Sequence, residues 1–158
     1  PNELIGFAGR YVMNGNQIDV MKLNGNYYFE SNDKFFINSK TIDLNNTIIN
    51  IPIGNYQIFE DVEFDSLWRS FVYQNRLVGL QNILGNFTKF PDVNKINAMI
   101  NAYKSAPIAY VLDVFVNGNG TFVTKVYDFY SCGLYGFSDY KLLPIMYSRW
   151  FNDFVRNK

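Results

Sequence analysis

Apolar and polar residues alternate in short runs over the first part of the chain, and helical spacing appears in two later stretches. Tyr11–Met13, Asp19–Leu23, Tyr27–Glu30, Lys34–Ile37 and Tyr56–Phe64 read as short strands, rich in aromatic and β-branched residues. Asn14-Gly15, Asn24-Gly25 and Asn32-Asp33 read as the turns between them, since these residues tolerate the positive φ of tight hairpins. Pro52 lacks an amide donor, so Ile48–Gly54 reads as an edge or a link. Leu67–Leu84 predicts a hairpin turning at Gln74-Asn75, with Trp68, Ser70 and Val72 on one face and Arg69, Phe71 and Tyr73 on the other. Pro91-Asp92 opens a helix that stops before Pro107, with Asp92 as N-cap and Val93, Ile96, Met99, Ile100 and Tyr103 as its apolar stripe. Ile108–Val116 and Thr121–Phe129 predict a second hairpin around Asn117-Gly118-Asn119-Gly120. Asp139 caps a last helix running to about Val155, in which Leu142, Leu143, Met146, Trp150, Phe154 and Val155 recur at helical spacing. Pro144 is tolerated there if it falls in the first turn. Strands, helix, strands, helix make an α+β fold of antiparallel sheets with two principal helices. The expected organisation is a β-rich part over residues 1–66 followed by a lobe over residues 67–158 in one compact unit.

Composition narrows the chemistry. The 158 residues suffice for one domain or slightly more, and a 48% hydrophobic content is too high for disorder. The formal net charge is zero, which argues against nucleic acid as the main partner. No run of about 18 apolar residues predicts a membrane span. Cys132 is the only cysteine, so no internal disulfide forms and a reducing, cytoplasmic compartment is expected. There is no histidine, which removes Ser–His–Asp triads, Cys–His pairs and most zinc sites. Chemistry then falls to Asp, Glu, Lys, Arg, Tyr or Cys132.

Four features could carry it. Asp113 lies in the middle of an apolar strand, where a buried carboxylate needs a partner. It either faces solvent or belongs to a metal or nucleotide site. Arg69 lies mid-strand among aromatics and either contacts phosphate or carboxylate bidentately or stacks on Trp or Tyr at the surface. Glu60, Asp61, Glu63 and Asp65 form either a Mg²⁺-polyphosphate cluster or a solvated acidic edge. Ser131–Gly136 has two glycines that permit close ligand approach, and Cys132 within it, with no adjacent base, reads as a structural thiol.

The pieces in this order resemble the ATP-grasp superfamily, in particular a clade common in phages and bacteria. Its Trp-Arg-x-Phe-Val strand is matched by Trp68–Val72, its Pro-Asp helix start by Pro91-Asp92, and its Tyr-x-x-Asp-Val strand by Tyr110–Val114. Lys125–Asp128 and Gly133–Gly136 match the following strand and its Gly-Leu-Tyr-Gly, and Phe7–Arg10 loosely matches a Phe-Thr-Gly segment. The resemblance implies an ATP-dependent carboxylate–amine ligase with ATP between two subdomains, Mg²⁺ held by acids of the hairpin, and an acylphosphate intermediate. It makes Arg69 the phosphate-contacting arginine and Asp113 the first metal-ligand acid, with Glu60, Lys125 and Asp128 as further nucleotide-site candidates.

The chain departs from that pattern at Lys125, where the family has its metal-binding Glu, at Tyr127, where it has Asn or His, and at Ile5, where its nucleotide lysine would fall. A lysine repels Mg²⁺, and Lys125 could instead pair with Asp113. Two readings follow: a degenerate domain kept as a binding or inhibitory scaffold for a protein partner, or an active ligase or ligase subunit using ATP and Mg²⁺. Register discriminates the geometry. If Val116 pairs with Thr121, a regular ladder sets Asp113 opposite Thr124, and a one-residue bulge sets it opposite Lys125.

Overall fold

The structure is a computed structural model describing residues 1–16, 19, 23, 26–31, 40–43 and 53–156. The chain divides into two compact units, Arg10–Glu63 and a second formed by Pro1–Gly9 with Phe64–Lys158.

The first unit is a four-stranded antiparallel sheet of β1 (Val12–Asn16), β2 (Asn26–Ser31), β3 (Lys40–Asp43) and β4 (Asn55–Glu60) in the order β1-β4-β2-β3. Phe29, Tyr56 and Ile58 form its buried centre, with Met13, Leu23 and Tyr27 packed on them. Two expectations are corrected here. Asn14-Gly15 is not a turn: both residues lie in β1, laddered to Gln57 and Tyr56, and that pairing outweighs local turn preference. The strand expected over Tyr56–Phe64 ends at Glu60. The strands expected at Asp19–Leu23 and Lys34–Ile37, and the turns at Asn24-Gly25 and Asn32-Asp33, lie largely or wholly outside the described residues.

The second unit carries the candidate chemistry. Its sheet has β5 (Ser66–Tyr73), β6 (Arg76–Gly85), β7 (Ala109–Asn117) and β8 (Gly120–Asp128) in the antiparallel order β6-β5-β7-β8. Both hairpins form where the sequence places them. Gln74 and Asn75 take φ of 49° and 57°, the left-handed pair of a type I′ turn. Helix α1 (Val93–Ala102) starts at Asp92, whose Oδ1 accepts from the Asn94 and Lys95 amides at 2.8 and 3.3 Å. Helix α2 (Leu142–Arg156) is capped by Asp139, which accepts from the Lys141 and Leu142 amides, and Pro144 falls in its first turn.

The sheet is buried on both faces. On the face of Trp68, Ser70 and Val72, the residues Tyr110, Leu112 and Val114 of β7 are buried, as are Ile96, Met99 and Ile100 of α1. The Asp92 amide donates to Thr121 Oγ1 at 2.9 Å and ties the start of α1 to β8. On the other face Phe71, Ala109 and Val111 pack with Phe129, Phe137, Met146 and Trp150. Phe154, expected in this core from its spacing, is instead 46% exposed. It lies one turn beyond Trp150 on α2 and stacks on that indole at 5.5 Å.

Trp150→Ala should cost about 3–5 kcal/mol, because it opens a large cavity under α2; urea unfolding measures this. A second expectation concerns Tyr110, whose hydroxyl is buried without a hydrogen-bond partner among the described residues. Burial, then the nearby Tyr103, push its pKa from 10.0 up to about 12. A raised folded pKa means the contribution is full below pH 10.0 and is lost as pH climbs through about 12. Tyr110→Phe should therefore be neutral or stabilising at pH 7 and should flatten the alkaline loss, read by urea midpoints across that window.

Candidate functional site

Arg69 and Asp113 are directly opposite one another on β5 and β7, the two central strands. The guanidinium grips the carboxylate with both prongs: Nε donates to Oδ1 at 2.8 Å and Nη2 to Oδ2 at 2.7 Å. The residues are 6% and 4% exposed, so both charges sit inside the fold and compensate each other there. Nη1 donates to the Gly133 carbonyl at 2.9 Å, anchoring the loop after β8. The hydrogen bond to Asp113 raises the pKa of Arg69 further; burial works against this and the carboxylate's charge adds to it.

The pair belongs to a row across the whole sheet. Gln81 of β6 is opposite Arg69, and Lys125 of β8 is opposite Asp113. The Lys125 placement depends on a bulge. Val114 pairs with Val123 and Asp113 with Lys125, so Thr124 is the extra residue and Lys125 comes to the carboxylate's face. Aromatic rings enclose the row. The guanidinium carbon lies 5.2 Å from the Tyr127 ring centre and 4.8 Å from that of Tyr135. Lys125 Nζ lies 4.9 Å from the Tyr127 ring. Tyr135 holds φ at 46°, a costly left-handed conformation for an aromatic residue, followed by Gly136 at 89°. A Cβ on Gly133 would fall 2.9 Å from the Tyr135 ring. The glycines of this loop thus let an aromatic side chain close over Arg69.

The remaining candidates lie elsewhere. Glu60 ends β4 in the Arg10–Glu63 unit, where its Oε2 accepts from the Tyr11 amide at 3.0 Å. There Arg10 lies over the Phe59 ring at 4.8 Å; burial lowers its pKa, and Asp61, Tyr28 and Glu60 oppose the shift. Asp65 belongs to the other unit, so the four acids are divided between the two. Asp128 is exposed at the end of β8, opposite Tyr110, and by alternation lies on the face away from Lys125. Cys132 donates to the Phe129 carbonyl at 3.0 Å, and burial raises its pKa although Arg69 pulls it down. That environment suits an inert thiol.

The donor set does not fit Mg²⁺, which wants several oxygen ligands in a near-octahedral shell. Asp113 is the only carboxylate of the row, both its oxygens are engaged by Arg69, and its other cross-strand neighbour is a cation. Among the described residues no group of three or more His, Cys, Asp or Glu side chains could hold a metal ion. Sequence reasoning missed Gln81, Tyr135 and the Gly133 carbonyl. Gln81 reaches the row because β6 also carries a register shift, between the pairs Phe71–Gly79 and Val72–Leu77, which its alternation does not announce.

Two antiparallel sheets with a few helices match the fold of ATP-grasp ligases. Residues 32–145 match the third family of the R-2-K clade of ATP-grasp domains, and the chain belongs to that family. Solved structures agree on the fold. The ATP-grasp ligase PsnB complexed with a minimal precursor superposes with a TM-score of 0.60 at 10% identity, over 91% of this chain and 57% of that one. D-alanine–D-alanine ligase from Bacillus anthracis gives 0.56 at 9% identity, over 96% and 62%. N5-carboxyaminoimidazole synthetase from Staphylococcus aureus gives 0.52 at 10%, over 80% and 41%. The chain therefore spans less than two thirds of the length of each of these ligases. A search of curated proteins finds no match.

Arg69→Met alone should cost about 3–5 kcal/mol by leaving a buried carboxylate unpaired, and Asp113→Leu should cost a similar amount. The double variant should recover most of that loss, and a double-mutant cycle in urea measures the coupling.

Proposed function

We propose that this ATP-grasp domain has exchanged metal-dependent ligation for binding, and acts as a binding or inhibitory scaffold for a protein partner. One observation carries the reading: the acid that the family resemblance makes the first metal ligand is spent on Arg69, and a lysine stands opposite it. The row holds two cations and one anion, so a divalent cation entering there would meet net positive charge at short range. A metal-bound nucleotide would have to break a buried bidentate pair before it could be held. The single, half-buried Cys132 supports a reducing, cytoplasmic setting, and among the described residues no helix is long and apolar enough to cross a membrane.

The runner-up is an active ATP-dependent carboxylate–amine ligase or a subunit of one. It draws on family membership and on neighbours such as the Bacillus anthracis ligase solved with ATP. In that reading Arg69 would contact phosphate, Asp113 would hold Mg²⁺ after release from Arg69, and Glu60 and Asp128 would be further candidates.

Calorimetric titration with Mg·ATP at fixed salt separates the two. Wild type should show no Mg²⁺-dependent affinity. Lys125→Glu with Tyr127→Asn, which restores the family's donors, should gain at least about tenfold, a 1.4 kcal/mol difference. Tight Mg·ATP binding by wild type, lost in an Asp113→Ala variant with an unchanged circular dichroism spectrum, would refute the scaffold reading.

A further inference from the structure

Helix α2 is apolar on two opposite sides. Met146 and Trp150 are buried in the core beneath it. A helix lying between core and solvent ordinarily keeps polar side chains on its outer side. Here Ile145, Tyr147, Phe151 and Val155 are about half exposed instead. Side chains of this size, half exposed, present roughly 100 Å² apiece. Together they make a patch of the extent that marks a contact surface on a monomer. Pro144, Ser148, Phe151 and Val155 follow one another at spacings of four, three and four residues, the seam spacing of paired helices. Tyr130 widens the apolar side, stacking on Trp150 with its ring centre 6.4 Å from that of Tyr147.

One flank of this side carries positive charge. Lys141, Ile145 and Arg149 succeed one another at four-residue spacing and so form a single ridge. Arg149 is exposed, and its side chain makes no hydrogen bond or ion pair among the described residues. The ridge ends at Asp153, which is half-buried and has interactions of its own but no ion pair with Arg149. Asp139, close to Lys141 in sequence, is occupied as the N-cap of the helix. A hollow of about 320 Å³ opens beside Arg149, lined by Pro144, Ile145, Ser148, Arg149 and Asn152. It offers an apolar wall, two side chains able to hydrogen-bond and one guanidinium. That set suits an apolar side chain standing next to a carboxylate.

We infer that the outer side of α2 docks an acidic amphipathic helix of a protein partner, with the partner's apolar ridge along Ser148, Phe151 and Val155 and its carboxylates on Lys141 and Arg149. The seam spacing calls for a helix, which reads such a surface through anchors one turn apart. The two cations call for acids, and these should stand two turns apart on the partner, about 12 Å, to match them. A second copy of the chain fits less well. In an antiparallel two-fold pairing of this seam the two Arg149 side chains fall on the same flank beside the axis, where like charges repel. A lipid surface would leave Ser148 and Asn152 against an apolar layer without hydrogen-bond partners. The inference rests on the scaffold reading for the existence of a protein partner, and gives that partner its chemistry.

The test uses the full chain and two synthetic peptides, each stapled into a monomeric helix with the same leucine ridge. One carries glutamates two turns apart along its flank, the other lysines at the same places. Binding is read by fluorescence anisotropy of the labelled peptide. The glutamate peptide should bind saturably, and the lysine peptide at least about tenfold more weakly, or 1.4 kcal/mol. Arg149→Glu should reverse that order and Phe151→Ser should weaken binding of the glutamate peptide. Lys89→Glu, the same change of charge in the loop before α1, should alter neither affinity. All three positions are exposed, so the fold should persist, as circular dichroism would verify. Equal binding of the two peptides, an order that Arg149→Glu leaves unchanged, or no binding up to the solubility limit overturns the inference. A dimer in sedimentation velocity that Phe151→Ser dissolves overturns it in favour of a second copy. Co-sedimentation with phosphatidylserine vesicles, lost in the same variant, overturns it in favour of a membrane. Peptide binding needs no nucleotide and the Mg·ATP titration needs no peptide. Failure with the peptides thus leaves the scaffold reading standing on another surface, and tight Mg·ATP binding would remove that reading while the peptide result stood.

Discussion

The bidentate pair between Arg69 and Asp113 is the constraint around which the C-terminal unit is arranged. Burying two charges is expensive, and the attraction repays it when the geometry is good and the remaining donors are used. Here the fork meets both carboxylate oxygens, a further donor takes the Gly133 carbonyl, and tyrosine rings cover the guanidinium. The pair joins the two middle strands at a single register position, so a one-residue slip between β5 and β7 would strand a charge in the core on each strand. An apolar pair could fill the same space but would tolerate such a slip more easily.

The same pair places two of the row's charges on the central strands and leaves the third on an edge. The pair joins the two central strands, and its remaining donor holds the loop after β8. Lys125 and Tyr127 are partly buried on the edge strand β8, where substitution disturbs packing less than on β5 or β7. Lys125 and Tyr127 thus lie on the edge strand, and Arg69 and Asp113 on the two central strands.

Much of the C-terminal unit is legible in its sequence because its local signals agree with its tertiary contacts. Asp92 and Asp139 cap the helices they precede, Gln74-Asn75 makes the turn, and alternation along β5 sorts Trp68 from Arg69. The resemblance made Arg69 a phosphate contact and Asp113 a metal ligand, not each other's partners. What was hidden is register. Whether Lys125 or Thr124 meets Asp113, and whether Gln81 meets Arg69, depends on single extra residues that no propensity records. In the N-terminal unit the opposite failure occurred: Asn14-Gly15 is a strong local turn signal, and cross-strand pairing with Gln57 and Tyr56 overrode it. Phe154 has core-like spacing, yet periodicity cannot say where a helix runs past the edge of the layer it covers.

The bulge in β8 has a genetic consequence. In a regular strand, loss of one codon moves every later residue to the opposite face. Thr124 is outside the ladder pairing, with Val123 and Lys125 already matched to consecutive residues of β7. Its removal would shorten the strand while leaving each remaining partner where it is. The residue outside the ladder beside the charged row is thus a point of length tolerance, as are the register shifts of β6 on the other side of the sheet. Related chains can differ by one residue there without changing what stands opposite the aspartate.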